Sequence, residues 1–165
     1  MHMLRRLGPA DAPAYRALRL EGLERYPESF GAAWAEEAAH PLPWFAGRLQ
    51  AHRVFGGWLR REGDLAGLAG LMLSGGAKQR HKGVLWGMYV RPEARGTGLA
   101  AALVRQVIEE AHGLVEELRL TVGAGNDAAI RLYEQAGFEA YGREPRGLKV
   151  DGRYFDELLM ARRLD

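Results

Sequence analysis

Hydrophobic positions along this chain change period several times, and the changes mark out its elements. Leu4 to Leu7 read as a short first strand closed by Gly8-Pro9, and Asp11 stands where it can cap a helix with Pro13 in the first turn. That helix carries Tyr15, Leu18 and Leu23 among charged residues and ends near Tyr26-Pro27. Glu28 to Ala39 read as a second helical piece, broken at Pro41-Leu42-Pro43, and Trp44 to Ala51 continue for another turn or two. Val54–Arg61 and Leu65–Leu73 predict an antiparallel hairpin turning at Glu62-Gly63-Asp64. The next strand, Val84–Val90, stops at Pro92, which has no N–H to give to a ladder. Period 3.6 then takes over, with Leu99, Leu103, Val107 and Ala111 on one face of a helix reaching about His112. Leu118, Leu120 and Val122 alternate with Arg119 and Thr121 as a half-buried strand would. Asn126 or Asp127 caps a helix through Ala136, with Gly137 at its C′ position. Phe138–Gly142 and Tyr154–Met160 are the last strands, and Asp151-Gly152 signals a tight hairpin turn. Strands and helices alternate with hairpins at both ends, which predicts one α/β domain over residues 1–165 on a single mixed sheet.

Composition narrows the function classes. The chain has no cysteine, so disulfides, thiolate metal sites and a cysteine nucleophile are excluded, and no metal site is expected. A formal charge of +2 gives no ground for nucleic-acid binding. No apolar run approaches the roughly 20 residues that span a bilayer, and Met-His-Met-Leu-Arg-Arg-Leu lacks the apolar core of a signal peptide. The expected place is the cytoplasm, with no membrane partner. The one basic run, Lys78-Gln79-Arg80-His81-Lys82, reads as a solvated turn or as an electrostatic lure for an anionic ligand. Tyr26, Phe30, Trp34, Trp44 and Phe45 hold an unusual share of the aromatics, either as helix packing or as the wall of an acceptor pocket.

The candidate chemistry lies where the Val84–Val90 strand gives way to the following helix. Arg95-Gly96-Thr97-Gly98 precede Leu99, so free backbone N–H groups at the positive end of a helix meet a turn without side chains in the way. Such a place holds phosphate. A P-loop would need a Gly-Lys pair that is not here. Gly96-Thr97-Gly98-Leu99-Ala100-Ala101 fits Gly-x-Gly-x-x-Ala, the nicotinamide or flavin fingerprint. Its context fails, because Arg91–Arg95 separate strand from glycine and no acid closes the next strand.

Two blocks together carry a better match. Arg95-x-x-Gly98-x-Ala100 follows a strand ending in Val90, and Asn126-x-x-Ala129-x-x-Leu132-Tyr133-x-x-x-Gly137-Phe138 follows one helix and one strand later. In that order and spacing they resemble the acyl-CoA pyrophosphate loop and the Asn-to-Phe segment of the GNAT superfamily of N-acetyltransferases, over about Leu65–Leu164. The resemblance implies an α/β (α+β) fold with a mixed, mostly antiparallel seven-stranded sheet, flanked by helices, whose fourth and fifth strands splay around the cofactor. It implies acetyl-CoA as acetyl donor, CoA as product, and direct attack by a primary amine in a ternary complex. Gly96, Thr97, Gly98, Leu99 and Ala100 would then bind the pyrophosphate with backbone N–H groups, and Arg95 would add charge. Met88, Tyr89 and Val90 would pair with the amides of the pantetheine arm as a strand does, and a backbone N–H there would polarise the thioester carbonyl. Asn126 and Ala129 would line the cofactor arm, although Asn126 is also a good N-cap. Tyr133 stands where the family places its general acid. A free thiol has a pKa of about 8.5 and a tyrosine about 10, so Tyr133 is protonated at neutral pH and able to donate. As an amphipathic-helix residue beside Ile130 and Ala136 it also reads as core.

The base that deprotonates the amine is not evident. An alkyl ammonium has a pKa of about 10.4, and the strand Val84-Leu85-Trp86-Gly87-Met88-Tyr89 offers no carboxylate where relatives often carry one. Glu24, Glu28, His81 and Glu157 qualify by type, and Asp156-Glu157 would suit an ammonium group. An N-acetyltransferase acting on a small-molecule or peptide amine is the leading reading. A non-catalytic acyl-CoA sensor would keep the pyrophosphate turn without needing Tyr133, and a nicotinamide-dependent oxidoreductase is the third reading. The acceptor's identity and a homodimer are both left open.

Overall fold

The computed structural model describes residues 2–165. Its strands are β1 (Met3–Arg6), β2 (Arg53–Trp58), β3 (Gly67–Leu73), β4 (Lys82–Val90), β5 (Glu117–Gly123), β6 (Glu139–Val150) and β7 (Arg153–Arg163). Its helices are α1 (Ala12–Arg25), α2 (Trp34–Ala38), α3 (Leu42–Ala51), α4 (Leu99–Ala111) and α5 (Asp127–Gln135). The seven strands form one sheet in the order β1-β2-β3-β4-β5-β7-β6. Every neighbouring pair is antiparallel except β4 with β5. This is the mixed, flanked sheet that the sequence leads one to expect.

Two apolar layers hold the helices to opposite faces. Val54 and Leu68 join the layer with Leu18, Leu23, Phe45 and Leu49 of α1 and α3. Their strand neighbours Phe55 and Ala69 join the layer with Leu99, Leu103, Val107 and Ala111 of α4. Adjacent strand residues point to opposite faces, so the two layers lie on either side of the sheet. The side chains of Leu99, Leu103, Val104 and Val107 are fully buried, as their helical spacing requires.

Four local expectations need correction. Asp11 does not cap α1 with its side chain; its carboxylate accepts the Gly8 N–H at 2.8 Å and a two-point bond from Arg5 at 2.8 and 2.9 Å. Glu28–Ala39 is not one helical piece: a 3-10 turn at Pro27–Ser29 ends in extended Phe30, and α2 starts only at Trp34. The hairpin strands stop at Trp58 and restart at Gly67, leaving a longer connection than the Glu62-Gly63-Asp64 turn. The last two strands run far past Gly142 and start before Tyr154, because shifts of register between Ala140 and Gly142 and between Glu144 and Leu148 absorb the glycines and Pro145.

The loop from α1 to α3 is pinned by a buried ion network. Arg19 of α1 gives two hydrogen bonds to Glu37 of α2, at 3.0 and 2.9 Å, and Arg48 of α3 gives a third at 3.2 Å. The Arg19 guanidinium lies 5.5 Å from the ring centroids of both Phe30 and Trp86. Burial pushes the Glu37 carboxyl upward, but bonding and charge from Arg19 and Arg48 outweigh it and hold its pKa below the ordinary value. Its stabilising contribution is therefore present above the unfolded pKa and lost as pH falls through the folded one. Glu37→Ala leaves buried guanidinium unpaired and is expected to cost about 3–5 kcal/mol. Chemical denaturation near pH 7 and again in acid measures this: the gap between wild type and variant should narrow in acid.

Candidate active site

β4 and β5 pair only at one end. Lys82, Gly83 and Val84 face Glu117, Leu118 and Arg119, and beyond them the ladder stops. The rest of β4, through Val90, and of β5, through Gly123, leave a cleft of about 1040 Å³ between them. Met88, Tyr89 and Val90 form one wall, and Gly123, Asn126 and Ala129 the other. Arg95 and Ala100 stand at one end of the cleft. Tyr26, Glu28 and Phe30, with Tyr154, Phe155 and Asp156, line the rest of it, and Tyr26 reaches across to the Arg95 guanidinium.

A bulge in β4 shapes this opening. Leu68 pairs with Tyr89 and Gly70 with Trp86, so two steps on β3 match three on β4. Gly87 absorbs the extra residue at φ +64°. Strict alternation would put Trp86 and Tyr89 on opposite faces, yet both pack into the α1–α3 layer. Met88 packs instead against the α4 layer. A bulge bends its strand, and here β4 departs from β5 in the same stretch. By its sequence Val84–Val90 is a plain strand, and the lone glycine inside it is the one signal of a bulge.

The turn after β4 fits a pyrophosphate. Gly96 and Gly98 take left-handed φ values of +75° and +87°, and Gly98 is the N-cap residue of α4. A Cβ built on Gly96 would meet nothing within 4 Å, so the approach to the turn is open. The Thr97 hydroxyl donates to the Ala94 carbonyl and accepts the Leu99 N–H at 3.4 Å, which braces the loop from within. Beyond it the first-turn N–H groups of a 13-residue helix face outward. Arg95 bonds the Val90 carbonyl through Nε at 3.4 Å, and its guanidinium lies 4.8 Å from the Tyr26 ring centroid. Leu99 itself is buried, so its backbone and not its side chain serves the turn.

Across the cleft, Asn126 caps α5 by accepting the Ala129 N–H at 3.2 Å, which leaves its amide N–H groups for the cleft. Tyr133 lies one turn past Ala129. Its side chain is only 6% exposed and its ring packs edge-on to Phe138 at 6.0 Å. Ala129 and Leu132 line the cleft, and Tyr133, the residue after Leu132, packs its ring into the core cluster beside them. Burial alone raises its pKa, with neither a hydrogen bond nor a charge contributing, so the phenol keeps its proton. Tyr89 is different. Its hydroxyl donates to Glu21 at 2.7 Å, and burial followed by that bond raises its pKa. The pairing of Tyr89 with Glu21 had no sequence signal, since 68 residues separate them.

The candidate bases part company. Glu28 lines the cleft, whereas Glu24 is exposed on α1 and His81 stands beside Glu117 at the paired end of β4. Counting from Lys82 to Val90 at roughly 3.3 Å per residue puts the basic run more than about 20 Å from the cleft, where it forms an exposed turn. Glu157 is half-buried, and burial, then repulsion from Glu144, raises its pKa. Asp156 is not free for an ammonium: Arg143 bonds it at 3.1 and 2.9 Å and the Arg146 N–H at 2.8 Å. Of the early aromatics, Tyr26 and Phe30 line the cleft, Phe45 is core, and Trp34 is exposed.

Known proteins share this arrangement. The profile of the Acetyltransferase (GNAT) family matches residues 19–138. The chain belongs to the GNAT family. An L-methionine sulfoximine/L-methionine sulfone acetyltransferase of Pseudomonas paraeruginosa is 37% identical over 81 residues, 47% of this chain and 46% of that protein. The chain thus spans about half the length of such a relative. A [ribosomal protein bS18]-alanine N-acetyltransferase of Escherichia coli is 34% identical over 132 residues, covering 76% of this chain and 84% of the relative. The crystal structure of a GNAT acetyltransferase from Streptococcus pneumoniae superposes with a TM-score of 0.86 at 25% identity, covering 99% of this chain and 100% of that one. The GNAT sheet, open between β4 and β5, is therefore common to this chain and a solved member. Among the described residues no helix is long and apolar enough to cross a membrane.

Proposed function

We propose that this chain is an acetyl-CoA-dependent N-acetyltransferase that acts on a primary amine by direct attack within a ternary complex. The observation that carries the reading is the splayed β4–β5 cleft with a left-handed two-glycine turn at its mouth. Gly96, Gly98 and Ala100 hold the donor's pyrophosphate by backbone N–H groups, Leu99 is braced on Thr97, and Arg95 adds a cation beside the turn. The unpaired edge of Met88–Val90 accepts the extended pantetheine as a further strand. A backbone N–H of that edge donates to the thioester carbonyl as negative charge grows there. Asn126 and Ala129 close the other side.

Bound acetyl-CoA would supply an activated acetyl thioester. The acceptor ammonium loses one proton to solvent, and its nitrogen forms the C–N bond as the C–S bond breaks. Tyr133 gives the departing sulfur its phenolic proton, and the nitrogen's second proton passes through water to restore the phenol. The burial that raises the Tyr133 pKa also disfavours a thiolate in the same place, which keeps the transfer feasible. The protein works without a membrane or nucleic acid, in the cytoplasm.

A donor-binding test comes first. A ligand that binds only the native state raises its melting temperature by mass action. Acetyl-CoA at about 100 times its Kd is expected to stabilise the protein by about 2.7 kcal/mol, and NAD or NADP far less. A larger thermal shift with NAD than with acetyl-CoA would overturn the reading in favour of an oxidoreductase.

A further inference from the structure

A glycine inside a helix costs stability relative to alanine, so Gly22, buried in the last turn of α1, calls for a reason in packing or function. A Cβ built on it would stand 3.0 Å from Cγ of Tyr89 and 3.2 Å from Cζ of Phe30, closer than side chains ordinarily approach. Tyr89 and Phe30 both line the cleft, and their ring centroids lie 6.3 Å apart. The two rings differ in what they can yield. Tyr89 is fixed at both ends: its backbone pairs with Leu68 in the sheet, and its hydroxyl donates to Glu21, the residue before Gly22, at 2.7 Å. Its atom nearest the missing Cβ is Cγ, at the root of the ring, so relief there needs β4 or α1 to shift. Phe30 lies in the extended stretch between the 3-10 turn and α2, and the atom that Gly22 clears is Cζ, the tip of the ring. The Arg19 guanidinium, 5.5 Å from the Phe30 centroid, is held by two bonds to Glu37. A side chain at position 22 therefore displaces Phe30 first, and with α1 and Arg19 both fixed the ring moves towards the cleft.

From this geometry we infer that Gly22 is a specificity-determining residue: lacking a side chain, it seats Phe30 against α1 and so sets the room left in the cleft for the acceptor amine. The inference rests on the acetyl-transfer reading above and adds to it what limits the acceptor's size. In that reading the donor is held by backbone groups, at the turn that opens α4 and along the Met88–Val90 edge. A phenyl ring offers neither hydrogen bond nor charge to a pyrophosphate or to an arm of amides, so Phe30 serves the apolar part of the acceptor. Acceptors with bulk next to the amine need Phe30 in its seat, and compact amines do not.

Gly22→Ala tests this, with acetyl-CoA as donor and CoA release as readout. Two series of increasing bulk serve as acceptors: glycine, L-leucine and L-phenylalanine, and ethylamine, isobutylamine and 2-phenylethylamine. For the variant, kcat/KM of the bulkiest acceptor that wild type uses is expected to fall roughly 10- to 100-fold relative to the smallest, the range of one methylene in a fitted pocket. Acetyl-CoA affinity should hold in the calorimeter. Gly22→Ala combined with Phe30→Leu removes the clashing Cζ and should restore the ratio, which a general loss of stability would not allow. A crystal structure of Gly22→Ala should show the Phe30 ring displaced into the cleft, whichever amine is the acceptor. An unchanged ratio, a fall uniform across acceptors, a loss of acetyl-CoA affinity, or a seated Phe30 with α1 pushed back would overturn the role of Gly22 and leave acetyl transfer standing. Absence of CoA release with every amine, in wild-type protein that binds acetyl-CoA, would instead overturn acetyl transfer and the size limit with it.

Discussion

Gly98→Glu is expected to reduce acetyl-CoA binding below detection in a titration calorimeter while the protein stays folded. Gly98 holds φ at +87° as the residue that starts α4, and its backbone borders the open turn. A glutamate there brings two separate penalties. An L-residue in the left-handed region costs about 1–2 kcal/mol, which lowers stability modestly. The carboxylate also stands where the pyrophosphate must approach the helix's positive end, so like charges meet in place of opposite ones. Gly98→Ala separates the two effects, since it shares the backbone strain and adds no charge. A Cβ at this position would come within 3.4 Å of the His2 ring, which is tight but flexible on the histidine side. Alanine should therefore weaken binding partially and glutamate should remove it. Near-normal affinity in a folded Gly98→Glu variant would show that this turn is not the donor site.

Tyr133→Phe is expected to lower turnover by something like the 10²–10⁴ of a lost general acid. Acetyl-CoA affinity should change little, because the hydroxyl acts on the leaving sulfur. The variant is clean for a physical reason: the ring and its packing on Phe138 remain, and burial is the sole cause of the raised pKa, so no bonded partner is orphaned. Thermal stability should stay near wild type. The high pKa also sets the pH dependence: the proton is lost only in strong base, so the wild-type rate should show no fall from Tyr133 across neutral pH. An unchanged rate would assign Tyr133 to the core alone and leave proton delivery to another group or to water.

Much of the scaffold around these two residues is readable in the chain itself. Pro92 ends β4, Leu99 to Ala111 form α4 with the expected face buried, and Asn126 caps α5 with Gly137 at φ +92° behind it. These features are local, depending on dihedral preferences and on one helix's own period. What was not readable depends on pairing. The β4 bulge involves one strand's count against its neighbour's, and β3 is needed to see that Gly87 moves Tyr89 to the other face. Gly142, Pro145 and Gly147 look like strand breakers in isolation, whereas β6 carries them through by shifting its register on β7. Nor does spacing decide between two nearby roles on one helix. Ala129 and Tyr133 share a face of α5, yet Ala129 lines the cleft while the Tyr133 ring is counted with the core. The lining of the cleft was the least legible part, since it draws on Glu28, just past α1, and on Arg153, on the last strand.

Amine-dependent release of CoA from acetyl-CoA tests the central claim most directly. The purified chain is mixed with acetyl-CoA and an amine panel that includes the free amino acids, with free thiol and acetylated product followed together. The account predicts that one class of amine accelerates CoA release well above the acceptor-free rate, with one acetylated amine formed per CoA. Tight acetyl-CoA binding with no amine raising the rate above that background would contradict it, and would make the chain an acyl-CoA sensor on a GNAT scaffold.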